Sequence, residues 1–247
     1  MIIYQPGGKA LEYSPLAANL YKGCGHACKY CFAPSATFTD RVKFSSPEYI
    51  KPRPNILNQL QQDAEKLRGD KRPVLLSFTS DPYQPANDQF RITRKALSIL
   101  WANDITATIL TKGGMRACKD FDILFRNHNN SFSVSLTTDD PVESIEWEPF
   151  AALPKDRIDS LRQAKSGGIK TWVSFEPVIN PSAVIRLIGE TYTFVDLYKV
   201  GKLNYHPFCQ KIDWRDFLYS VEIALNKYNA KRYIKKDLEA YRFKTVA

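Results

Sequence analysis

Nowhere along its 247 residues does the chain string together the roughly 18 apolar residues that a membrane helix requires. Its opening, Met1-Ile2-Ile3-Tyr4-Gln5-Pro6-Gly7-Gly8, lacks the basic and apolar regions of a secretion signal, so the expected location is cytoplasmic. Low-complexity tracts, linker-like runs and close internal repeats are also missing. Hydrophobic residues at 44% and charged ones at 25% lie far from the composition of a disordered chain. One folded domain over residues 1–247 is therefore expected, monomeric, with its core over about 16–205 and a helical extension over about 212–247. Cysteines are few and odd in number. Five exclude a fully paired disulfide framework, and three of them fall within eight residues, a density that points to metal ligation in a reducing compartment.

What is abundant is positive charge. The formal net charge of +9 would attract phosphate backbones, with an affinity that salt weakens. Part of it lies in the tail, where Lys227, Lys231, Arg232, Lys235, Lys236, Arg242 and Lys244 recur through a segment with helical character. This tail reads equally as a solvated basic face or, with Tyr228 and Tyr233, as a basic and aromatic patch for nucleic acid.

Downstream of the clustered cysteines, helical stretches alternate with short β-branched runs that end in polar or glycine loops. Helices are expected over 55–68, 93–103, 118–126, 155–166, 182–189 and 214–228, and strands over 73–78, 105–110, 132–136, 171–175 and 194–200. About six βα units result, an α/β parallel sheet covered by helices. Ligands of such sheets collect at the carboxyl ends of the strands.

The run Gly23-Cys24-Gly25-His26-Ala27-Cys28-Lys29-Tyr30-Cys31 spaces its cysteines C-x3-C-x2-C within a glycine-flanked loop. Three thiolates without a nearby fourth suggest an iron–sulfur cluster with one open iron. A zinc site, completed by His26 or by the distant His206 and Cys209, is the structural alternative. Cys118 fits a small core residue, and Cys209 either a core residue or an auxiliary ligand.

The spacing, with an aromatic residue before the third cysteine, resembles the radical S-adenosylmethionine superfamily. The resemblance implies a partial (β/α)6 barrel of TIM type, a 4Fe–4S cluster on Cys24, Cys28 and Cys31, and S-adenosylmethionine chelated at the open iron. It also implies an external electron donor of flavodoxin or ferredoxin type and reductive cleavage to a 5′-deoxyadenosyl radical that abstracts hydrogen from a substrate. The protein's part in such chemistry is to position the reacting atoms.

Asn19-Leu20-Tyr21-Lys22-Gly23-Cys24, Thr79-Ser80-Asp81-Pro82-Tyr83-Gln84-Pro85 and Thr111-Lys112 further resemble the spore photoproduct lyase-like branch, over residues 16–205. By that resemblance Ser80 and Lys112 hold the methionine and carboxylate parts of the cofactor, Ser133 and Ser135 face its ribose, and Glu176 stands near the adenine. Gly201 would let the backbone approach the cofactor. Each has a plainer role beside it: strand-end hydrogen bonding for the serines, a surface charge for Lys112, a turn cap for Asp81 and a strand-end cap for Glu176. Two departures stand out. Phe78 occupies the position of the lyase's hydrogen-donating cysteine and Phe32 that of a relay tyrosine, which argues against repair of the spore thymine dimer. The substrate stays open: the basic charge and the branch resemblance favour DNA, RNA or a nucleotide, and a peptide or small metabolite fits the same barrel. A non-catalytic metal-bearing nucleic-acid module and an enzyme that modifies a protein partner are the competing readings.

Overall fold

The computed structural model describes residues 1–242, so Lys244 lies outside the described residues. In chain order the strands are β1 (Ile3–Tyr4), β2 (Leu16–Ala18), β3 (Tyr21–Lys22), β4 (Lys51–Pro52), β5 (Val74–Leu76), β6 (Ala107–Thr111), β7 (Ser131–Ser135), β8 (Lys170–Phe175), β9 (Leu197–Val200) and β10 (Arg232–Ile234). β3 and β4 form a separate antiparallel ribbon. The rest make one sheet in the order β1-β2-β5-β6-β7-β8-β9-β10, parallel from β2 onward, with β1 antiparallel at its edge. The six strands β2, β5, β6, β7, β8 and β9 form the expected core of a partial barrel, and β10 adds a seventh parallel strand.

Strand periodicity divides the interior in two. Val74, Leu76, Ile109, Phe132, Val134, Val173 and Phe175 face the helices over 56–66, 92–102, 154–166, 181–191 and 214–227 and form the main core. Their neighbours Leu75 and Trp172 face the other way and, with Ala17, Tyr13, Phe78 and Leu110, make a smaller cluster on the opposite face. Two of these helices begin where a short polar side chain takes free amide groups of the first turn. Asn180 accepts from Ala183 N at 3.2 Å, with Pro181 at the first helical position, and Asp213 accepts from Arg215 N at 2.9 Å and Asp216 N at 3.0 Å.

Two expectations are corrected. The stretch 118–126 is a 3-10 turn over Gly114–Asp120 followed by a short helix over Phe121–Leu124. Gly114 lies so close to the 154–166 helix that a Cβ would sit 2.0 Å from Asp156 Oδ2, and Met115 N donates to that oxygen instead of entering a regular helix. The tail is not one helical segment either, because β10 pairs with β9 and, among the described residues, a single turn, Lys236–Glu239, follows it.

Among the described residues the sheet stays open between β1 and β10, and side chains span the gap. Glu12 Oε1 accepts from Lys236 N at 2.9 Å and from the Tyr233 hydroxyl at 3.1 Å, while Lys9 Nζ donates to Asp237 Oδ2 at 2.9 Å. The segment after β1 thus fastens to the far end of the sheet.

Candidate active site

The carboxyl ends of six parallel strands and the cysteine loop converge on one cavity of about 390 Å3. Ser77 to Asp81 follow β5, Thr111 and Lys112 close β6, Ser135 ends β7, Glu176 and Pro177 follow β8, Lys202 to Tyr205 follow β9, and Lys235 follows β10. Cys24, Cys28 and Cys31 line the same space, together with His26 and Tyr30.

The loop's shape is imposed from outside. Gly23 takes φ +70°, and a Cβ there would lie 2.6 Å from the Phe44 carbonyl oxygen that accepts from Cys24 N, so only glycine fits. Gln84, fully buried, clamps both glycines beside Cys24. Its Oε1 accepts from Gly25 N at 2.8 Å and its Nε2 donates to the Gly23 carbonyl at 3.3 Å. Farther along, Lys29 N donates to the Trp147 carbonyl and Phe150 N to that of His26. Asn19 ties the strand-end run in the same way, accepting from Phe78 N at 2.8 Å and Thr79 N at 2.9 Å. The two sequence motifs therefore interlock, one supplying Asn19 and the cysteines, the other Gln84. Gln84→Ala would strand the buried Gly23 carbonyl at a cost of about 1–3 kcal/mol and the part-buried Gly25 amide at less. The expected result is an intact fold by circular dichroism that retains less than about half the wild-type iron after reconstitution. Full iron content would show that the loop needs no clamp.

Asp81 is a turn cap and cross-strand tie. It accepts from Tyr83 N at 2.8 Å, from Thr111 Oγ1 at 2.5 Å and from Lys112 N at 2.7 Å, and its Oδ2 stands 3.5 Å from His26 Nδ1. Its neighbours are less occupied. The hydroxyls of Ser77, Thr79 and Ser80 and the Nε2 of His26 are buried at the cavity wall without a protein partner. Buried polar groups ordinarily pair, so these four await a ligand or solvent. Burial pulls the His26 pKa down to about 4 against the opposing pull of Asp81, which leaves a neutral imidazole.

Lys112 lies half-buried with Nζ 5.6 Å from the centre of the Tyr30 ring, and among the described residues no carboxylate pairs with it. Burial pulls its pKa down, but Cys28 and Glu148 outweigh this and the ammonium stays charged. Ser135 reaches the cavity. Ser133 sits one pleat deeper, fully buried, with its hydroxyl on the Ile109 carbonyl at 2.5 Å, and does not line the space. Gly201 makes room for Glu176 rather than for a ligand, since a Cβ there would lie 2.8 Å from Glu176 Cδ.

Glu176 anchors the far wall. Its Oε2 accepts from the Tyr13 hydroxyl and from Lys235 Nζ at 2.5 Å, and Lys235 is 1% exposed. Burial and the adjacent Glu176 carboxylate hold the Tyr13 phenol well above its ordinary range, so it remains a donor. Tyr228 stacks on Tyr192 with centroids 4.3 Å apart. With Lys235 and Tyr228 turned inward, the residues proposed for a tail patch do not share one solvent face.

Behind the cysteines lies a buried ion pair with no motif to announce it. Glu148 accepts from the Tyr30 hydroxyl and from Arg157 Nη2 at 2.5 Å, while Arg157 also reaches the carbonyls of Ser135 at 2.9 Å and Ala152 at 2.7 Å.

Among the described residues no three His, Cys, Asp or Glu side chains stand close enough to hold a single metal ion. Ligands of a multi-iron cluster bind different irons and stand farther apart, so three thiols edging one roomy cavity suit a cluster. His206 and Cys209 lie outside the cavity lining. His206 Nδ1 accepts from Phe208 N at 3.2 Å, and Cys209 packs against the core, as does Cys118.

Comparison with known proteins bears on the family and the fold. The family model described as the Radical SAM superfamily matches residues 18–194. An uncharacterized protein of Methanocaldococcus jannaschii is 29% identical over 93% of this chain and 86% of its own length. One of the Acidianus two-tailed virus is 31% identical over 74% of this chain and 63% of its own. An uncharacterized protein of Mycobacterium tuberculosis matches at 26% over 70% of this chain, which spans only 52% of that relative. Among solved structures, spore photoproduct lyase complexed with dinucleoside spore photoproduct superposes with a TM-score of 0.69 at 16% identity, over 93% of this chain and 78% of the other. Streptococcus suis SuiB bound to S-adenosylmethionine gives 0.67 at 14%, over 92% and 53%. At these identities the two superpositions establish the shared fold.

Proposed function

The chain belongs to the radical SAM superfamily, and from that premise we propose that Cys24, Cys28 and Cys31 hold a 4Fe–4S cluster beside a bound S-adenosylmethionine. The chemistry supplied by these groups when bound is reductive cleavage of the sulfonium and abstraction of hydrogen from a substrate. The observation that carries the proposal is the convergence of the three thiols, the unpaired hydroxyls of Ser77, Thr79 and Ser80, and the unpaired Lys112 ammonium on one cavity. The hydroxyls can donate to a carboxylate or accept from an amino group, and Lys112 supplies the countercharge for a carboxylate. Glu176, fixed by Tyr13 and Lys235, keeps Oε1 for a ligand, with only a 3.4 Å contact from Asn204 Nδ2 against it. A cytoplasmic, reducing setting would keep all five thiols free.

The substrate class we favour is a nucleotide or nucleic acid. The cavity mouth carries two aromatic rings in solvent, Phe32 at 48% exposed and Tyr205 at 84%, with Lys9 Nζ 5.3 Å from the centre of the Tyr205 ring and Lys202 on the same rim. Flat apolar plates beside ammonium groups suit bases and phosphates. The similar lyase structure holds a dinucleoside.

The test is anaerobic reconstitution with iron and sulfide, addition of dithionite and S-adenosylmethionine, and chromatography for 5′-deoxyadenosine. Its formation is expected; its absence from a fully loaded protein, with and without an oligonucleotide, would defeat the reading. Lys112→Ala is expected to leave iron content unchanged and to weaken S-adenosylmethionine binding by about tenfold or more, the worth of one charge-assisted contact. Unchanged affinity in equilibrium dialysis would remove Lys112 from the site.

A further inference from the structure

The excursion that leaves the cysteine loop and returns through β4 carries a surface that the cavity does not use. From Lys22 to Arg53 the chain holds six lysines and arginines, Lys22, Lys29, Arg41, Lys43, Lys51 and Arg53, against two acids, Asp40 and Glu48. Asp40 is engaged as a cap, accepting from Lys43 N at 3.0 Å. At the outer tip, Phe38 is 99% exposed and Val42 80% exposed.

An aromatic side chain fully in water forgoes about 1.5–3 kcal/mol of burial. Phe38 is nevertheless held there by an ordered turn. Its φ is +50°, a left-handed conformation that costs a bulky residue energy. Thr37 Oγ1 donates to the Ala33 carbonyl at 2.8 Å, Thr39 N donates to that of Pro34 at 2.9 Å, and the Thr39 hydroxyl lies 3.2 Å from that of Tyr49.

The same excursion is fastened to all three cluster cysteines. Arg41 donates to the Cys28 carbonyl at 3.1 Å and the Cys31 carbonyl at 2.9 Å, and the Phe44 carbonyl accepts from Cys24 N at 3.2 Å. A body seated on Arg41 would therefore touch the side chain that holds the Cys28 and Cys31 carbonyls.

We propose that this face, Phe38 and Val42 with the basic residues Arg41 and Lys43 on either side of Val42, docks an acidic electron-transfer protein that carries a flavin or iron–sulfur centre. The inference rests on the cluster assignment made above. One electron passes from the reduced centre of the partner to the cluster held by Cys24, Cys28 and Cys31; the partner is oxidised by one electron, the cluster is reduced by one, and no atom is transferred. A small apolar patch with complementary charge around it suits a brief encounter, fast and salt-sensitive, better than a permanent complex. Attachment to the three cysteine backbones serves an electron donor and offers nothing to a nucleic-acid strand lying across the surface.

The test uses the reconstituted holoprotein and two probes taken separately, a photoreduced flavodoxin and a reduced plant-type ferredoxin. Stopped-flow absorbance follows oxidation of the probe and bleaching of the cluster, and titration of the oxidised probe gives its affinity. The wild-type rate should fall steeply with salt. Phe38→Ser and Lys43→Glu should each lower the second-order rate and the affinity about five- to tenfold, and together more, while reduction by dithionite and the yield of 5′-deoxyadenosine stay at wild-type levels. Wild-type rates in the double variant, or a wild-type cluster that neither probe reduces, would overturn the proposal. Equal loss with dithionite would make the face a structural part of the site, and loss of oligonucleotide binding with unchanged probe oxidation would give it to nucleic acid; either outcome overturns it. Absence of 5′-deoxyadenosine leaves cluster reduction readable, so it strikes the proposed activity alone, whereas a chain that takes up no iron defeats both.

Discussion

Cys24→Ala, Cys28→Ala and Cys31→Ala are each expected to lose the iron chromophore and all formation of 5′-deoxyadenosine. Iron falls from about four per chain to a trace, because a cluster with one open position has no ligand to spare. Burial pushes the Cys28 thiol up to about 12, with Lys112 pulling against it, and raises Cys24 and Cys31 as well. Without metal the three are protonated at neutral pH, and metal takes the place of their protons on binding. Cys118→Ala and Cys209→Ala serve as the contrast. Both pack against the core outside the cavity, and both should retain full iron and full cleavage. Iron analysis and chromatography on the five variants decide the matter. Full activity in any of the first three would dissolve the ligand assignment, and loss of iron in Cys209→Ala would bring that residue into the site.

Much of this centre is legible in the sequence because cluster ligation is written in local spacing. Cys24, Cys28 and Cys31 lie within eight residues, and the chain needs only a glycine-flanked loop to bring them together. The sheet is legible for a related reason, since alternating βα punctuation admits few topologies. The short strand β10 escapes, because Arg232-Tyr233-Ile234 sits among lysines that read as a helix and gains its pairing only from β9. Ser133 and Ser135 show the limit of periodicity. It puts both on one face, as they are, but depth along the strand decides that Ser135 reaches the cavity while Ser133 bonds to a neighbouring strand. Gln84 was visible only as part of a motif; its clamp on Gly23 and Gly25 depends on a contact across about sixty residues. Glu148 and Arg157 carry no signal and Lys235 reads only as one more charge of the basic tail, because a buried charge and a solvated one are the same letter until the partner is known.

The buried pair Glu148 and Arg157 should matter more for stability than any surface charge of this chain. Both are 1% exposed, and Arg157 directs three nitrogens at Glu148, Ser135 and Ala152. Removing one member leaves the other charged and unpaired in the interior, which typically costs about 3–5 kcal/mol. Arg157→Met should therefore lower the melting temperature by roughly 10 °C, at about 2–4 °C per kcal/mol for a chain of this size. It should also slow cluster assembly, because Glu148 holds the Tyr30 hydroxyl next to Cys31. The double variant Glu148→Leu with Arg157→Met removes both charges and is expected to melt above Arg157→Met alone. Burial pushes the Glu148 carboxyl up, but Arg157 and Lys112 outweigh it and leave its pKa below the usual value. A depressed carboxylate stabilises the fold above its unfolded pKa near about 4.3, and that contribution is lost as pH falls through the folded value. The wild type should thus lose stability on the acid side more steeply than the double variant, and calorimetry between pH 7 and 3 measures the difference. Single variants that melt within about 2 °C of wild type at neutral pH would mean that solvent reaches the pair and that Tyr30 is held by packing alone.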